Sequence, residues 1–240
     1  MGFLERNVKV HSILRIKLKT RFPRYLVLLV SFLVGCLSNV GAQNVTVSTQ
    51  PLNIVDFWNG PNVNLGVEFP FNSKWKNYIQ AGRYINAIPS INENQWESLT
   101  GGFISNEVRM YFLPDSNKRF VAQSYWGFEA QYGDQYYTRG DTLHLETGSE
   151  FRKYDNQRTY AGINVNFGMT WKYHSGLFMG IRFGVGGRYN RVINNLTQEE
   201  ADSRNFGDWN SPTGWIQKKG SRIIPKFNLA GFRIGYSFKR

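Results

Sequence analysis

The chain has one cysteine, Cys36, and three histidines, His11, His144 and His174. One thiol excludes an intrachain disulfide, a zinc ribbon and a redox-active cysteine pair. No histidine stands among carboxylates at metal-ligand spacing, so no metal site and no cofactor is implied. No apolar run reaches the roughly 20 residues that a helix needs to cross a bilayer, and the mean hydropathy is −0.42. A helical membrane bundle is excluded. Acids are scarce: 17 Asp and Glu face 29 Lys and Arg, for a net charge of +12. Such an excess can mark a nucleic-acid binder. Here seven of the bases (Arg6, Lys9, Arg15, Lys17, Lys19, Arg21 and Arg24) lie with the single acid Glu5 in residues 1–42. Half of the excess belongs to that segment, and no nucleic-acid partner is expected.

That segment has its own logic. A basic stretch to Arg24 precedes the apolar run Tyr25–Leu37, and Ser38-Asn39-Val40-Gly41-Ala42 supplies small residues before Gln43. This is the order of a secretory signal peptide, with cleavage expected after Ala42. The expected division is a signal peptide over 1–42 and one β domain over 43–240. Leu33-Val34-Gly35-Cys36 also resembles a lipobox, which makes a lipoprotein anchored at Cys36 the minority alternative.

What the rest of the chain has in quantity is aromatic residues and glycine, 16% aromatic and 24 Gly, arranged with a period of two. Ile163, Val165, Phe167, Met169, Trp171 and Tyr173 alternate with Gly162, Asn164, Asn166, Gly168, Thr170 and Lys172. After His174-Ser175-Gly176 the pattern restarts, with Leu177, Met179, Ile181, Phe183 and Val185 against Gly180, Arg182, Gly184 and Gly186. Successive strand side chains point to opposite faces, so this is a β-hairpin with one apolar face and one polar, glycine-rich face. Similar alternation predicts strands over 45–55, 62–71, 77–87, 103–113, 120–137 and 222–238, making eight with the hairpin. Pro51 falls inside the first, an unfavourable place for a residue without an N–H. The links alternate between short turns and the long polar segments 89–100, 138–157 and 191–221.

A soluble β-sandwich or lipocalin-like barrel also alternates, but it turns its apolar face inward. Here the polar face combines glycine with charges of both signs: Glu68, Glu107, Arg109, Glu129, Lys172, Arg182, Arg188 and Arg233. A narrow eight-stranded lumen needs small residues and mutually neutralising ions. The expected fold is therefore all-β: an eight-stranded antiparallel transmembrane β-barrel in an outer membrane, with short periplasmic turns and long external loops. The charges are expected to form a near-balanced network of ion pairs that fills the lumen, with a small channel as the alternative.

The closing segment Pro225–Phe238, with Phe232, Ile234, Tyr236 and Phe238 alternating against Gly231, Arg233, Gly235 and Ser237, and the leader ending Val40-Gly41-Ala42-Gln43 carry a resemblance of pattern. The mature chain resembles the small outer-membrane β-barrel proteins of Bacteroidetes-type bacteria. Lys239 and Arg240 follow the terminal aromatic, a departure from that family. The resemblance implies partners: outer-membrane lipids and lipopolysaccharide, and the barrel-assembly machinery, which would read the last strand.

Two loop segments could carry function. Phe206, Trp209 and Trp215 lie among turn residues in the last long loop, as candidates either for binding an extracellular ligand or for anchoring at the headgroup level. His144-Leu145-Glu146-Thr147-Gly148-Ser149-Glu150 holds a histidine, a hydroxyl and two carboxylates, the ingredients of an outer-membrane deacylase or acyltransferase. Alternation along one strand would put His144 and Glu146 on a common face without Ser149, and the spacing matches neither enzyme type. The expected role is non-catalytic, structural or binding through the external loops, with a lipid-modifying enzyme as the alternative.

Overall fold

The computed structural model describes residues 45–55, 60–86, 97–112, 115–116, 120–146, 148–197, 200 and 219–238. All of these belong to the unit Gln43–Arg240; the leader lies outside the described residues. In chain order the elements are β1 (Thr46–Thr49), a 3-10 turn (Pro51–Val55), β2 (Asn62–Pro70), β3 (Trp75–Tyr84), β4 (Glu97–Tyr111), β5 (Asp115–Ser116), β6 (Phe120–Leu145), β7 (Gly148–Tyr173), β8 (Leu177–Asn194) and β9 (Gly220–Ser237). Every pairing is antiparallel. β4 pairs with β6 past the two-residue β5, and β9 pairs with β1, so the sheet closes on itself. The fold is a closed eight-stranded antiparallel β-barrel of meander connectivity, with β5 as a small addition to β6. Closure removes the exposed edges that an open sheet would present.

The alternation of the sequence becomes an inside and an outside. On β2, Asn62, Asn64, Gly66 and Glu68 are buried while Val63 and Leu65 are exposed. On β7, Asn164, Asn166 and Thr170 are buried, whereas Ile163 is 72% and Phe167 61% exposed. The apolar side chains face out and the polar ones face in, the reverse of a soluble barrel. The glycines of the inner face are sites where a large side chain lies flat across the wall. A Cβ at Gly66 would stand 2.1 Å from the Tyr78 hydroxyl, one at Gly168 would stand 2.4 Å from the Tyr125 ring, and one at Gly133 would stand 2.5 Å from the Tyr160 ring. Side chains thus fill the lumen, as expected at this strand number.

The structure departs from the predicted elements in several places, among them the ends of the expected loop 191–221, where β8 runs on to Asn194 and β9 starts at Gly220. The first strand ends at Thr49, because Pro51 fixes its own φ and offers no N–H to the ladder; the chain turns into 3-10 geometry over Pro51–Val55. Side chains replace part of the lost ladder: Asn64 Oδ1 accepts from the Gln50 N–H at 3.0 Å, and the Thr49 hydroxyl donates to the Asn64 carbonyl at 2.7 Å. β4 begins at Glu97, inside the segment expected to be a loop, and enters the barrel through an irregularity between Glu97 and Thr100 in which Ser98 and Gly101 have φ of 55° and 124°. β5 forms within an expected turn. β6 and β7 run 26 residues each and pair continuously from Phe120↔Tyr173 to Leu145↔Gly148. Of the expected loop 138–157, residues 138–145 and 148–157 are therefore strand.

Barrel neighbours accompany that hairpin only part of the way. The last partner from β4 meets Thr138, and the last from β8 meets Asn156. Beyond them β6 and β7 continue as a two-stranded ribbon, seven residues on the β6 side, or roughly 20 Å at about 3.3 Å per residue. An isolated ribbon is marginal in water, and this one has a core of its own: Leu143, Tyr154 and Leu196 are buried together, with Leu145 against them. Asp141 accepts from Arg139 Nε at 2.9 Å and from the Tyr154 hydroxyl, and Asp155 accepts from Thr138 at 2.8 Å. The short links 71–74 and 174–176 lie at the opposite, turn end with the outer ends of β1 and β9.

Candidate functional site

A branched ion-pair network crosses the lumen. Glu68 on β2 accepts from Arg109 Nη1 and, at 2.9 Å, from the Tyr111 hydroxyl, while Lys76 Nζ lies 3.4 Å from its other oxygen. Arg109 on β4 donates its second Nη to Glu107, two residues back on the same face. Glu107 also accepts from Arg182 Nη1 on β8 at 3.2 Å and from Asn166 on β7 at 3.0 Å. Arg182 Nη1 lies 3.4 Å from Glu129 on β6, which accepts from Asn164 at 2.8 Å. The sequence Glu68–Arg109–Glu107–Arg182–Glu129 alternates in sign and joins β2, β4, β8 and β6. Isolated buried charges cost several kcal/mol, roughly, unless paired and hydrogen-bonded; each of these carboxylates has at least two donors.

The arginines are also stacked. The Arg109 guanidinium sits 3.9 Å from the Tyr78 ring centre and 4.8 Å from that of Tyr125. Arg233 on β9 sits 4.9 Å from Tyr78 and 5.1 Å from Phe178, with a Glu68 oxygen at 3.7 Å. Arg109, Arg233, Tyr78 and Tyr125 are all fully buried, so large side chains pack this layer of the lumen.

Of the charges singled out in the sequence, Glu68, Glu107, Arg109, Glu129, Arg182 and Arg233 come together here. Arg188 lies nearer the loop end, its guanidinium 4.8 Å from the Tyr160 ring. Lys172 is half-buried towards the turn end, level with Phe178 and Val121 in the ladder. Two buried cations went unread: Arg158, 5.5 Å from the Tyr160 ring, and Lys226, which donates to Gln131 Oε1. The expected near-balance of charge is thereby corrected. Among the described residues the buried carboxylates are Glu68, Glu107 and Glu129, and the buried cations are Arg109, Arg158, Arg182, Arg188, Arg233 and Lys226. Continuing the β7 alternation two residues before Tyr160 would have found Arg158. Lys226 was hidden by a bulge: Arg182 pairs with Gly231 but Gly184 with Asn228, so one extra β9 residue switches the inward parity from odd to even. Towards the loop end the lumen turns aromatic, with Tyr84, Leu99, Tyr137 and Tyr160 packed together and the Tyr84 and Tyr160 hydroxyls 2.5 Å apart.

The ribbon carries the second site. His144 on β6 and Ser149 on β7 are direct cross-strand partners, and His144 Nδ1 lies 2.8 Å from Ser149 Oγ. This corrects the expectation that Ser149 would lie off the histidine's face: the hairpin pairing, absent from a single-strand reading, sets them opposite each other. Both are exposed. His144 and Ser149 form a hydrogen-bonded pair, and no carboxylate among the described residues hydrogen-bonds His144. Beside the ribbon, the Thr197 N–H donates to Glu200 at 2.7 Å while the Glu200 N–H donates to the Thr197 hydroxyl at 3.2 Å, the reciprocal arrangement of a capping box. These bonds, the Thr197 N–H first, hold the Glu200 carboxyl below its ordinary range. Arg152 on the ribbon ion-pairs with Glu200 and so ties the β8–β9 connection to β7. The loop candidates Phe206, Trp209 and Trp215 lie outside the described residues. No group of three His, Cys, Asp or Glu that could hold a metal is present among the described residues. No protein-family model, curated protein or solved structure matches the chain.

Proposed function

We propose that the chain is an integral outer-membrane barrel that works as a non-catalytic structural or binding protein, presenting its ribbon and the β8–β9 connection outside the cell. The observation that carries this reading is the inversion of the barrel: charge within, aliphatic and aromatic side chains without. The outward apolar run from Ala161 to Trp171 on β7 matches the roughly 9–11 tilted residues that cross a bilayer. Aromatic residues border the belt at the two ends. Near the turn end, outward-facing pairs stack at 6.4 Å (Trp75–Trp126), 5.9 Å (Phe120–Tyr173) and 5.0 Å (Tyr236–Phe238). Towards the loop end stand Tyr132 and Tyr189, both exposed. Such girdles suit the two headgroup regions. Asn106, exposed between Ile79 and Ala130, is a polar exception in the belt on β4.

In this reading the signal peptide is cleaved after Ala42, the turn end faces the periplasm, and lipids and lipopolysaccharide surround the belt. The assembly machinery would read β9, whose Phe238 N–H reaches the Val45 carbonyl at 2.8 Å beside the β1–β9 seam. The pattern-level kinship with small Bacteroidetes-type barrels belongs to the same proposal. The test is fractionation followed by unheated and heated gel electrophoresis. A membrane-bound chain whose migration shifts on boiling is expected; a soluble chain, or one without a shift, would overturn the reading.

The His144–Ser149 hydrogen bond favours one second reading, a lipid-modifying acyl hydrolase or acyltransferase at the outer leaflet. His144→Ala and Ser149→Ala that both leave the lipid A profile unchanged would eliminate it.

A further inference from the structure

We infer that the turn-end half of the lumen holds a small monovalent anion, of the class of chloride, at Arg233. The ion-pair network has a surplus cation, and Arg233 is that residue. Glu68 Oε2 is already taken by Arg109 and the Tyr111 hydroxyl, and its Oε1 faces Lys76. Arg233 approaches Glu68 only at 3.7 Å. Its Nε, Nη1 and Nη2 are buried and none makes a hydrogen bond, and the residue is 0% exposed. A guanidinium carries five N–H donors and cannot neutralise itself by losing a proton. Leaving it desolvated without acceptors is among the costliest arrangements a protein interior can hold.

The surroundings ask for an acceptor and not for another donor. The rings that flank Arg233, those of Tyr78 and Tyr125, also flank Arg109, and both tyrosine hydroxyls are buried without a hydrogen-bond partner. Two guanidiniums and two phenol rings thus share one layer, the hydroxyls lying against Gly66 and Gly168, and the carboxylates described there, Glu68 and Glu107, are already engaged. A cation has nothing to bind there. Gly180 lets the wall approach the Arg233 head closely: a side-chain carbon at that position would stand 3.3 Å from the Met169 carbonyl oxygen and 3.4 Å from Arg233 Nη2. A bound anion accepts from Arg233 and offsets the surplus charge. Water could satisfy the donors but would leave the charge.

The test uses the full chain folded in detergent micelles, with thermal unfolding followed in sodium chloride and in sodium gluconate at equal ionic strength. Equal ionic strength equalises screening, and the Arg233→Met variant separates binding at this site from general differences between the two anions. The unfolding midpoint is expected to climb with chloride concentration as linkage requires and to stay flat with gluconate. Arg233→Met is expected to abolish that difference. Bromide replacing chloride should give an anomalous scattering peak beside the Arg233 guanidinium in crystals of the wild-type protein, a readout that stands if the variant does not fold. Identical midpoints in the two salts, a chloride dependence that survives in Arg233→Met, or bromide-soaked crystals with no peak at Arg233 would each overturn the assignment. None of these readouts depends on which membrane holds the barrel or on what its loops bind.

Discussion

Glu107→Gln separates a network that holds the barrel together from one that merely occupies it. Glu107 is fully buried and accepts from Arg109, Arg182 and Asn166. The substitution keeps the shape and one acceptor oxygen but removes the charge between two buried guanidiniums. Breaking a buried pair by removing one partner costs about 3–5 kcal/mol. The retained amide oxygen and the neighbouring Glu68 and Glu129 argue for the low end. About 3 kcal/mol, with a urea slope near 2 kcal/mol/M, lowers the unfolding midpoint by about 1.5 M. The assay is urea unfolding of the folded chain in lipid vesicles, read by tryptophan fluorescence and by heat-modifiable migration. Two controls define the effect. Glu200→Gln, at the exposed Arg152 pair, should stay within about 1 kcal/mol of wild type. Glu107→Gln combined with Arg182→Met should be less destabilising than the two single losses added, because the two residues share one interaction. A Glu107→Gln midpoint indistinguishable from wild type would refute the reasoning.

Gly168→Ala, which places a carbon 2.4 Å from the Tyr125 ring, should cost about 1–3 kcal/mol by overpacking, while Gly187→Ala, with nothing within 4 Å of the added carbon, should unfold at the wild-type midpoint. Tyr160→Phe removes the Tyr84 hydrogen bond and should destabilise by about 1 kcal/mol in the same assay. Phe167→Arg on the outer face should lower stability in vesicles by about 2–4 kcal/mol; on a water-facing surface it would change almost nothing. The Glu200 carboxyl is held below its ordinary range, so its contribution to anchoring the β8–β9 connection is present above the ordinary carboxylate pKa and is lost as pH falls through the lowered one. The protection factor of the Thr197 amide, its exchange rate set against the intrinsic rate at each pH, should fall as pH drops through that acid window and stay constant in Glu200→Gln, which has no carboxylate to titrate.

Alternation was legible wherever one face met a filled lumen. β7 and β8 show it most clearly because Ile163 to Trp171 and Met179 to Val185 are unbroken by turns, and Gly168 marks where Tyr125 crosses the wall. It failed where burial stops deciding the residue. The ribbon has Arg139, Asp141, Arg152, Lys153 and Asp155 on a segment with no barrel wall beside it, so its composition imitates a loop while its backbone pairs as strand. Pro51 was visible, yet the compensation by Asn64 lies fourteen or fifteen residues along the chain and could not be seen. The partners in the lumen are farther still: Arg182 and Glu107 are 75 residues apart, so parity brings a charge inside without naming its counterpart. The β9 bulge shows that parity itself is local, since one inserted residue carried Lys226 inward.

The central claim is that the apolar face of this barrel looks onto lipid. The most direct measurement is a nitroxide scan along β7, one cysteine at a time from Tyr160 to Tyr173, in the mature chain without Cys36 and folded into vesicles. Collision rates with oxygen should rise and fall with a period of two, with maxima at Ile163, Val165, Phe167 and Met169 and minima at Asn164, Asn166 and Gly168. Maxima at those odd positions for a water-soluble nickel reagent in place of oxygen, or no period at all, would contradict the account.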